Sequence, residues 1–327
     1  MMKLASAAAL LASAAGAWAA TTVDYDLIPG TFEKGRQPDG NSIVLDAPQG
    51  LIVIDTGRHA AQQEKILAAA KARGKPIVAI VNSHWHLDHN GGNQEIRAVY
   101  PKARIITSNA VVGALSGFLA NSRKDAEEYI ASGQAPAEQI AEIKGDFAAT
   151  EDKADLLPTD PVTKSERRTI AGRALDVNLA PYAATEGDVW VYDPKTKTVF
   201  SGDLVVAFAP FMDTACVEGW LAALDQIEAT PFTTLVPGHG DPMDRASFGE
   251  WKTAFRNLVD CGASKATNDE CIAGWNRDAN RFVAPLAPRK VDPMIGYYLD
   301  NWLRPNAPNR TKYCKPVAAT GGQPERG

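Results

Sequence analysis

Residues 84–89 read HWHLDH and place three of the chain's five histidines beside an aspartate. No other stretch constrains the fold as strongly. Imidazole and carboxylate groups at this density converge on metal, and the loop that carries them needs rigid elements on both sides. His84 and His86 are two apart. On an extended chain, i and i+2 point to the same side, so both imidazoles reach one metal ion while Trp85 and Leu87 face the other way and pack. Asp88 and His89 follow after the chain has turned, and they face a second position. Such mixed ligands suit zinc first, and iron or manganese next.

The flanking sequence supplies the rigid elements. "KPIVAIVNS" (75–83) is short and β-branched, a buried strand that delivers the chain into His84. "NSIVLDAPQGLIVIDTGR" (41–58) is two apolar runs joined at a Pro/Gly turn, a β-hairpin. "AQQEKILAAAKARG" (61–74) has helical periodicity and a glycine stop. A short helix follows "NGG", with Asn93 as its expected N-cap, and "ARIITS" (103–108) is a further buried strand. This alternation indicates a layered α/β architecture. Residues 109–157 change character: they are Ala- and Glu-rich and helical, interrupted at "SGQAP". Strand signals resume over 168–184 and in a hairpin over 189–206. A helix over 217–230, a strand ending in "PGHG", and a tail of about two helices complete the pattern.

These residues resemble the metallo-β-lactamase superfamily. "SHWHLDHNGG" matches its HxHxDH signature, and the accompanying landmarks occur in order over roughly residues 40–245: "VIDTG" (53–57), "SGDLV" (201–205) and "PGHG" (237–240). The resemblance implies an αββα four-layer sandwich with metals in a cleft at one edge of the paired sheets. The expected organisation is a segment 1–20, a sandwich domain over 21–250 with a helical insertion at 109–157, and a helical extension with a tail over 251–327. The resemblance also assigns ligands. The first position takes His84 and His86, and the second takes Asp88, His89 and His239, with Asp203 available to bridge. The family's third histidine at the first position normally stands in an "HTxGD" stretch. Here that stretch is "ATEGD" (184–188), which puts Ala184 at the histidine. Glu186 is a candidate substitute, and His59, the one histidine left over, follows "DTGR" on the wrong side of the fold's usual geometry. The expectation is therefore one firm zinc position and a second that is weak or absent. Asp55 is a candidate to orient a ligand histidine, and Asp188 reads as structural.

The chemistry such a centre serves is hydrolysis of an amide, ester or thioester carbonyl in a small-molecule substrate, with Asp88 as candidate general base. Two other readings use the same residues: a divergent β-lactamase, and a metal-binding accessory protein with little or no turnover. The formal charge of −5 carries no nucleic-acid footprint. "MMKLASAAALLASAAGAWAA" has a lysine, an Ala/Leu run and a small-x-small site, so it reads as an export signal, and its removal leaves no membrane span. Export predicts a periplasmic or secreted protein in which Cys216, Cys261, Cys271 and Cys314 form two disulfides, Cys261–Cys271 being the most local pairing.

Overall fold

The computed structural model describes residues 24–32, 36–285 and 291–315. The expected export signal at 1–20 and residues 316–327 of the expected tail lie outside the described residues.

The N-terminal half builds a five-stranded sheet in the order β1-β2-β3-β4-β5. Strand β1 (Tyr25–Ile28) had no signal of its own in the sequence, and it covers the edge of β2 (Ser42–Ala47). β2 turns at Pro48 and Gln49 into β3 (Gly50–Ile54), the expected hairpin. Helix α1 (Ala60–Arg73) ends on Gly74 in the left-handed conformation and crosses to β4 (Ile77–Val81), which lies parallel to β3. The one-turn helix α2 (Leu87–Asn90) and α3 (Asn93–Val99) lead to β5 (Arg104–Ile106), parallel to β4. Asn93 does not cap α3; Gly92 stands at that place. The Asn93 amide is used in the interior instead, donating to Asn82 Oδ1 at 2.8 Å and accepting from Thr56 Oγ1 at 2.9 Å.

The insertion forms α4 (Ala110–Ser116), α5 (Phe118–Ala131) and α6 (Ala137–Ala149), with the break at 132–136 where "SGQAP" placed it. The second sheet has the order β10-β9-β8-β7-β6. The 168–184 strand signal resolves into a hairpin, β6 (Glu166–Ile170) and β7 (Arg173–Pro181), turning at Ala171 and Gly172. β8 (Gly187–Asp193) and β9 (Thr198–Phe200) follow, then α7 (Val217–Ala229), then β10 (Thr234–Val236), which pairs parallel to β9. The C-terminal region holds more helix than expected: α8 (Arg245–Ala263), α9 (Asn268–Asp278), α10 (Asn280–Val283) and α11 (Asp292–Tyr298), closed by a π turn over Leu299–Leu303.

Period-2 alternation sorts the strands' side chains into layers. Ile43, Leu45, Ile52, Ile54 and Val81 meet Leu175, Val177, Val191 and Phe200 between the sheets. On the outer face of the first sheet, Val44, Val53 and Ile80 pack against Ile66 of α1 and Ile96 of α3. On the outer face of the second, Trp190, Tyr192 and Val199 meet Trp220 of α7, Trp251 of α8 and Trp275 of α9. Helix, sheet, sheet, helix: this is the αββα sandwich. α8 runs through residue 250 without interruption, so the C-terminal helices continue the outer layer of the second sheet. Cys261–Cys271 ties α8 to α9, and Cys216–Cys314 ties the start of α7 to the end of the described chain.

Candidate metal centre

β3 and β4 run parallel, as do β9 and β10, so each pair delivers its C-terminal ends to one sheet edge. The four loops leaving those ends carry Asp55, the 82–89 segment, Asp203 and His239. Two local features let the loops touch. Gly238 lies so close that a Cβ there would fall 2.0 Å from Asp203 Oδ1, and a Cβ on Gly40 would fall 2.4 Å from the His89 ring. Asn41, just before β2, clamps the His239 loop by donating to Pro237 O at 2.9 Å and Gly240 O at 2.8 Å.

The six side chains named from the sequence converge in two groups. His84, His86 and Asp203 form one and Asp88, His89 and His239 the other, each with donor atoms within 4.8 Å of one another. Asp203 joins them: its Oδ1 is 3.1 Å from His89 Nε2 and 3.5 Å from His239 Nε2, and its Oδ2 is 3.9 Å from His84 Nε2. Asp88 Oδ2 lies 3.1 Å from His239 Nε2 and 3.5 Å from His89 Nε2. His84, His89, His239, Asp88 and Asp203 are buried, and His86 has the most open edge of the four histidines.

One aspartate sets the chemistry of this cluster. Asp55 is held in the left-handed region (φ 56°), rare for a residue with a side chain, and it accepts from Ser83 N and Ser83 Oγ, both at 2.7 Å. Its Oδ2 is 2.8 Å from His89 Nδ1. A carboxylate only accepts, so His89 Nδ1 donates to Asp55 and Nε2 faces inward, where a metal ion would take the place of the second ring proton. The Ser83 hydroxyl gives its proton to Asp55 and therefore accepts from His84 Nδ1 at 3.0 Å, which turns the His84 Nε2 lone pair inward as well. Asp55 thus fixes the ligand-competent tautomer of one histidine in each group.

Burial holds the His84 and His86 imidazoles below the usual histidine range, so both are neutral, as ligands must be. Burial acts the same way on His89, but the carboxylates of Asp203, Asp88 and Asp55 outweigh it and hold its pKa well above that range. Burial would raise Asp88 and Asp203, but His89 and His239 outweigh it and hold both carboxyls low. His84 Nε2 and both oxygens of Asp203 are buried without a hydrogen-bond partner. Orphaned imidazole and carboxylate atoms facing one another are a donor set that fits a divalent metal ion.

The remaining assignments separate. Asp188 accepts from Thr185 N at 2.8 Å and Thr185 Oγ1 at 3.1 Å, and burial pushes its carboxyl up to about 7; it braces the turn. Glu186 lies outside both donor groups: its Oε2 is beside Gly113 of α4, 3.7 Å from where a Cβ would sit. Ala184 is buried in the apolar layer, its carbonyl accepting from Thr214 Oγ1 at 3.4 Å. His59 stands apart from the cluster, between Asp39 and Glu142. Sequence reasoning missed Arg58, whose Nη2 is 3.9 Å from Asp88 Oδ1. Its position directly after "DTG" was the only available signal. It also missed an aromatic frame. Trp85 stacks edge-on with His86 and touches Phe118 of α5, while Phe208 and Phe211 pack against His239.

Fold and centre together define an αββα protein with a His/Asp metal-binding edge. A family profile described as the metallo-beta-lactamase superfamily matches residues 35–239, and the chain belongs to that superfamily. Among curated proteins it is 27% identical over 222 residues to a linear primary-alkylsulfatase from Pseudomonas sp., covering 61% of this chain and 41% of that protein. It is also 27% identical over 174 residues to a hydroxyacylglutathione hydrolase from Synechococcus sp., covering 53% of each. The chain thus spans about half the length of these relatives or less. Among solved structures, a metallo-beta-lactamase family protein from Thermus thermophilus aligns with a TM-score of 0.56 at 15% identity, over 83% of this chain and 94% of that one. A metallo-beta-lactamase from Pontibacter korlensis aligns with a TM-score of 0.52 at 18% identity, over 71% of this chain and 99% of that one. Both likenesses are of fold.

Proposed function

We propose that this protein is an exported, zinc-dependent hydrolase that cleaves an ester, thioester or amide carbonyl in a small-molecule substrate. The observation that carries the reading is the set of orphaned, inward-facing donors: His84 Nε2 and both Asp203 oxygens, beside a His89 whose tautomer Asp55 fixes. His84, His86 and Asp203 would hold one ion and Asp88, His89 and His239 the other. A bound zinc supplies a Lewis acid and lowers the pKa of water to about 7. Asp88 is held anionic and has one oxygen directed at His239, so it is placed to orient or accept a proton. The second group keeps three protein ligands without Asp203, and it is the firm position. Ala184 leaves the first with two histidines and a shared carboxylate, and it is the weak one.

Hydrolysis is supported by the likeness to proteins named for hydrolysing hydroxyacylglutathione and alkyl sulfates. Export is supported by the two disulfides. Among the described residues no helix is long and apolar enough to cross a membrane. Ala184 favours a second reading, a metal-binding accessory protein with little turnover. A panel of aryl esters, thioesters, β-lactams and alkyl sulfates, run with and without a chelator, separates the readings. Chelator-sensitive cleavage of a carbonyl ester or thioester is expected. Bound zinc with no turnover on any arm would favour the accessory role.

A further inference from the structure

Helices α5 and α6 contain no fully buried residue; Ile140, Ile143 and Phe147 of α6 are half-buried, and ion pairs tie α6 to the sandwich. Glu142 and Asp146 lie one turn apart on α6 and reach His59 and Arg58, which are consecutive in the chain. His59 Nδ1 is 2.8 Å from Asp39 Oδ2 and its Nε2 is 2.8 Å from Glu142 Oε2. Both partners are acceptors, so the bridging ring is an imidazolium. Arg36 Nε adds a contact to Glu142 Oε1 at 3.3 Å. Asp39 also fixes the backbone of this pair, accepting from Arg58 N at 2.6 Å and His59 N at 2.9 Å.

Arg58 is shared unequally. Its guanidinium pairs directly with Asp146, while Asp88 Oδ1 stands off at 3.9 Å. Asp88 turns its other oxygen inward to His239. Among the described residues, the other carboxylate that this guanidinium pairs with is Asp88, and it belongs to the centre. We propose that α6 governs the metal centre through Arg58. Asp146 engages the guanidinium and holds it 3.9 Å from Asp88, outside hydrogen-bond reach, which leaves that carboxylate free for a metal ion. Lifting α6 moves Arg58 onto Asp88 and weakens the position formed by Asp88, His89 and His239. By linkage, a metal ion there favours α6 in its docked place. Arg58 is thus a positioning residue, and the insertion is an effector of the centre as well as a wall. The inference rests on the reading that Asp88 ligates metal.

The test is zinc affinity of the full chain, measured by competition with a chromophoric chelator. Asp146→Asn keeps the shape of a side chain on a helix with no fully buried residue, and Asp146→Ala serves as a second variant. Each is expected to weaken zinc binding by about fivefold or more. Adding Arg58→Gln to Asp146→Asn removes the competitor and should restore affinity to within about twofold of the original chain. Unchanged affinity in both single variants, or a double variant as weak as Asp146→Asn, overturns the proposal. A parent chain that binds no zinc would overturn the metal reading as well, so the two failures are distinguishable.

Discussion

Two sets of helices are added to the sandwich, and they are attached in opposite ways. α7 and the C-terminal helices, on the outer face of the second sheet, are anchored by buried indoles. Trp220 of α7, Trp251 of α8 and Trp275 of α9 donate to the carbonyls of Leu204 at 2.9 Å, Val206 at 2.9 Å and Phe208 at 3.3 Å. These three carbonyls belong to the segment that follows Asp203, so the outer helical layer holds a ligand loop in place. The insertion helices α5 and α6 contain no fully buried residue; α5 touches Trp85 through Phe118, and α6 is tied to the surface of the centre by ion pairs. The contrast assigns roles. Dense packing supports the residues that must not move, and weak polar attachment serves an element that responds to what binds. The same logic holds within the centre, where Asp55 spends a strained backbone on fixing two imidazoles.

The largest effect expected from this contrast is on stability. Trp251→Ala removes a fully buried indole and should destabilise by about 3–5 kcal/mol. Tyr129→Ala, on α5 and 38% exposed, should stay within about 0.5 kcal/mol. Denaturant unfolding of the two variants measures both, and equal losses would erase the distinction. Next is Asp55→Asn. The amide cannot accept from Ser83 and His89 as the carboxylate does, so zinc affinity should fall by about 10–100-fold. A chelator-competition titration that shows no loss would remove Asp55 from its orienting role.

The smallest effect is on pH response. The hydrogen bond to Asp39 raises the pKa of His59, burial opposes it, and Glu142 adds to the rise. A raised folded pKa gives stability that is fully present below the ordinary histidine value of about 6.5 and is lost as pH rises through the raised value. Burial raises Asp39 and Glu142, but His59 outweighs it and lowers both, so their share is lost at the acid end. Among the described residues, Arg36, Arg58 and Asp146 are the further charged groups around this ring. Amide exchange in α6, corrected for intrinsic rate, should therefore speed up as pH rises above about 6.5, while exchange in α8 should not. Parallel behaviour of the two helices would contradict separate attachment.

How much of this was legible in the sequence follows the range of the interactions. "HWHLDH", "SGDLV" and "PGHG" are local signatures whose ligands lie next to the strand ends that aim them, so all six ligand candidates could be named before the fold. The hairpin at "DAPQG" and the helix stop at Gly74 are likewise local turn chemistry. Asn93 misled because a short polar side chain ahead of a helix resembles a cap, whereas buried partners from Asn82 and Thr56 claim it. β1 was silent because a four-residue edge strand carries little periodicity. The Arg58–Asp146 contact joins residues 88 positions apart, and no spacing rule reaches that far. Glu186 shows the limit of proximity in sequence. It stands two residues from Ala184, yet its carboxylate lies beside α4.

The central claim is that this chain holds a metal centre with one strong and one weak position. Metal content of the purified protein, after dialysis against chelator-free buffer, tests it most directly. The account predicts close to one zinc per chain, with a second taken up only at excess zinc, because the second group keeps its three ligands and the first lacks a histidine at Ala184. Ala184→His should then raise affinity for the second ion by about tenfold. Two zinc ions retained by the unaltered chain, or none, would contradict it.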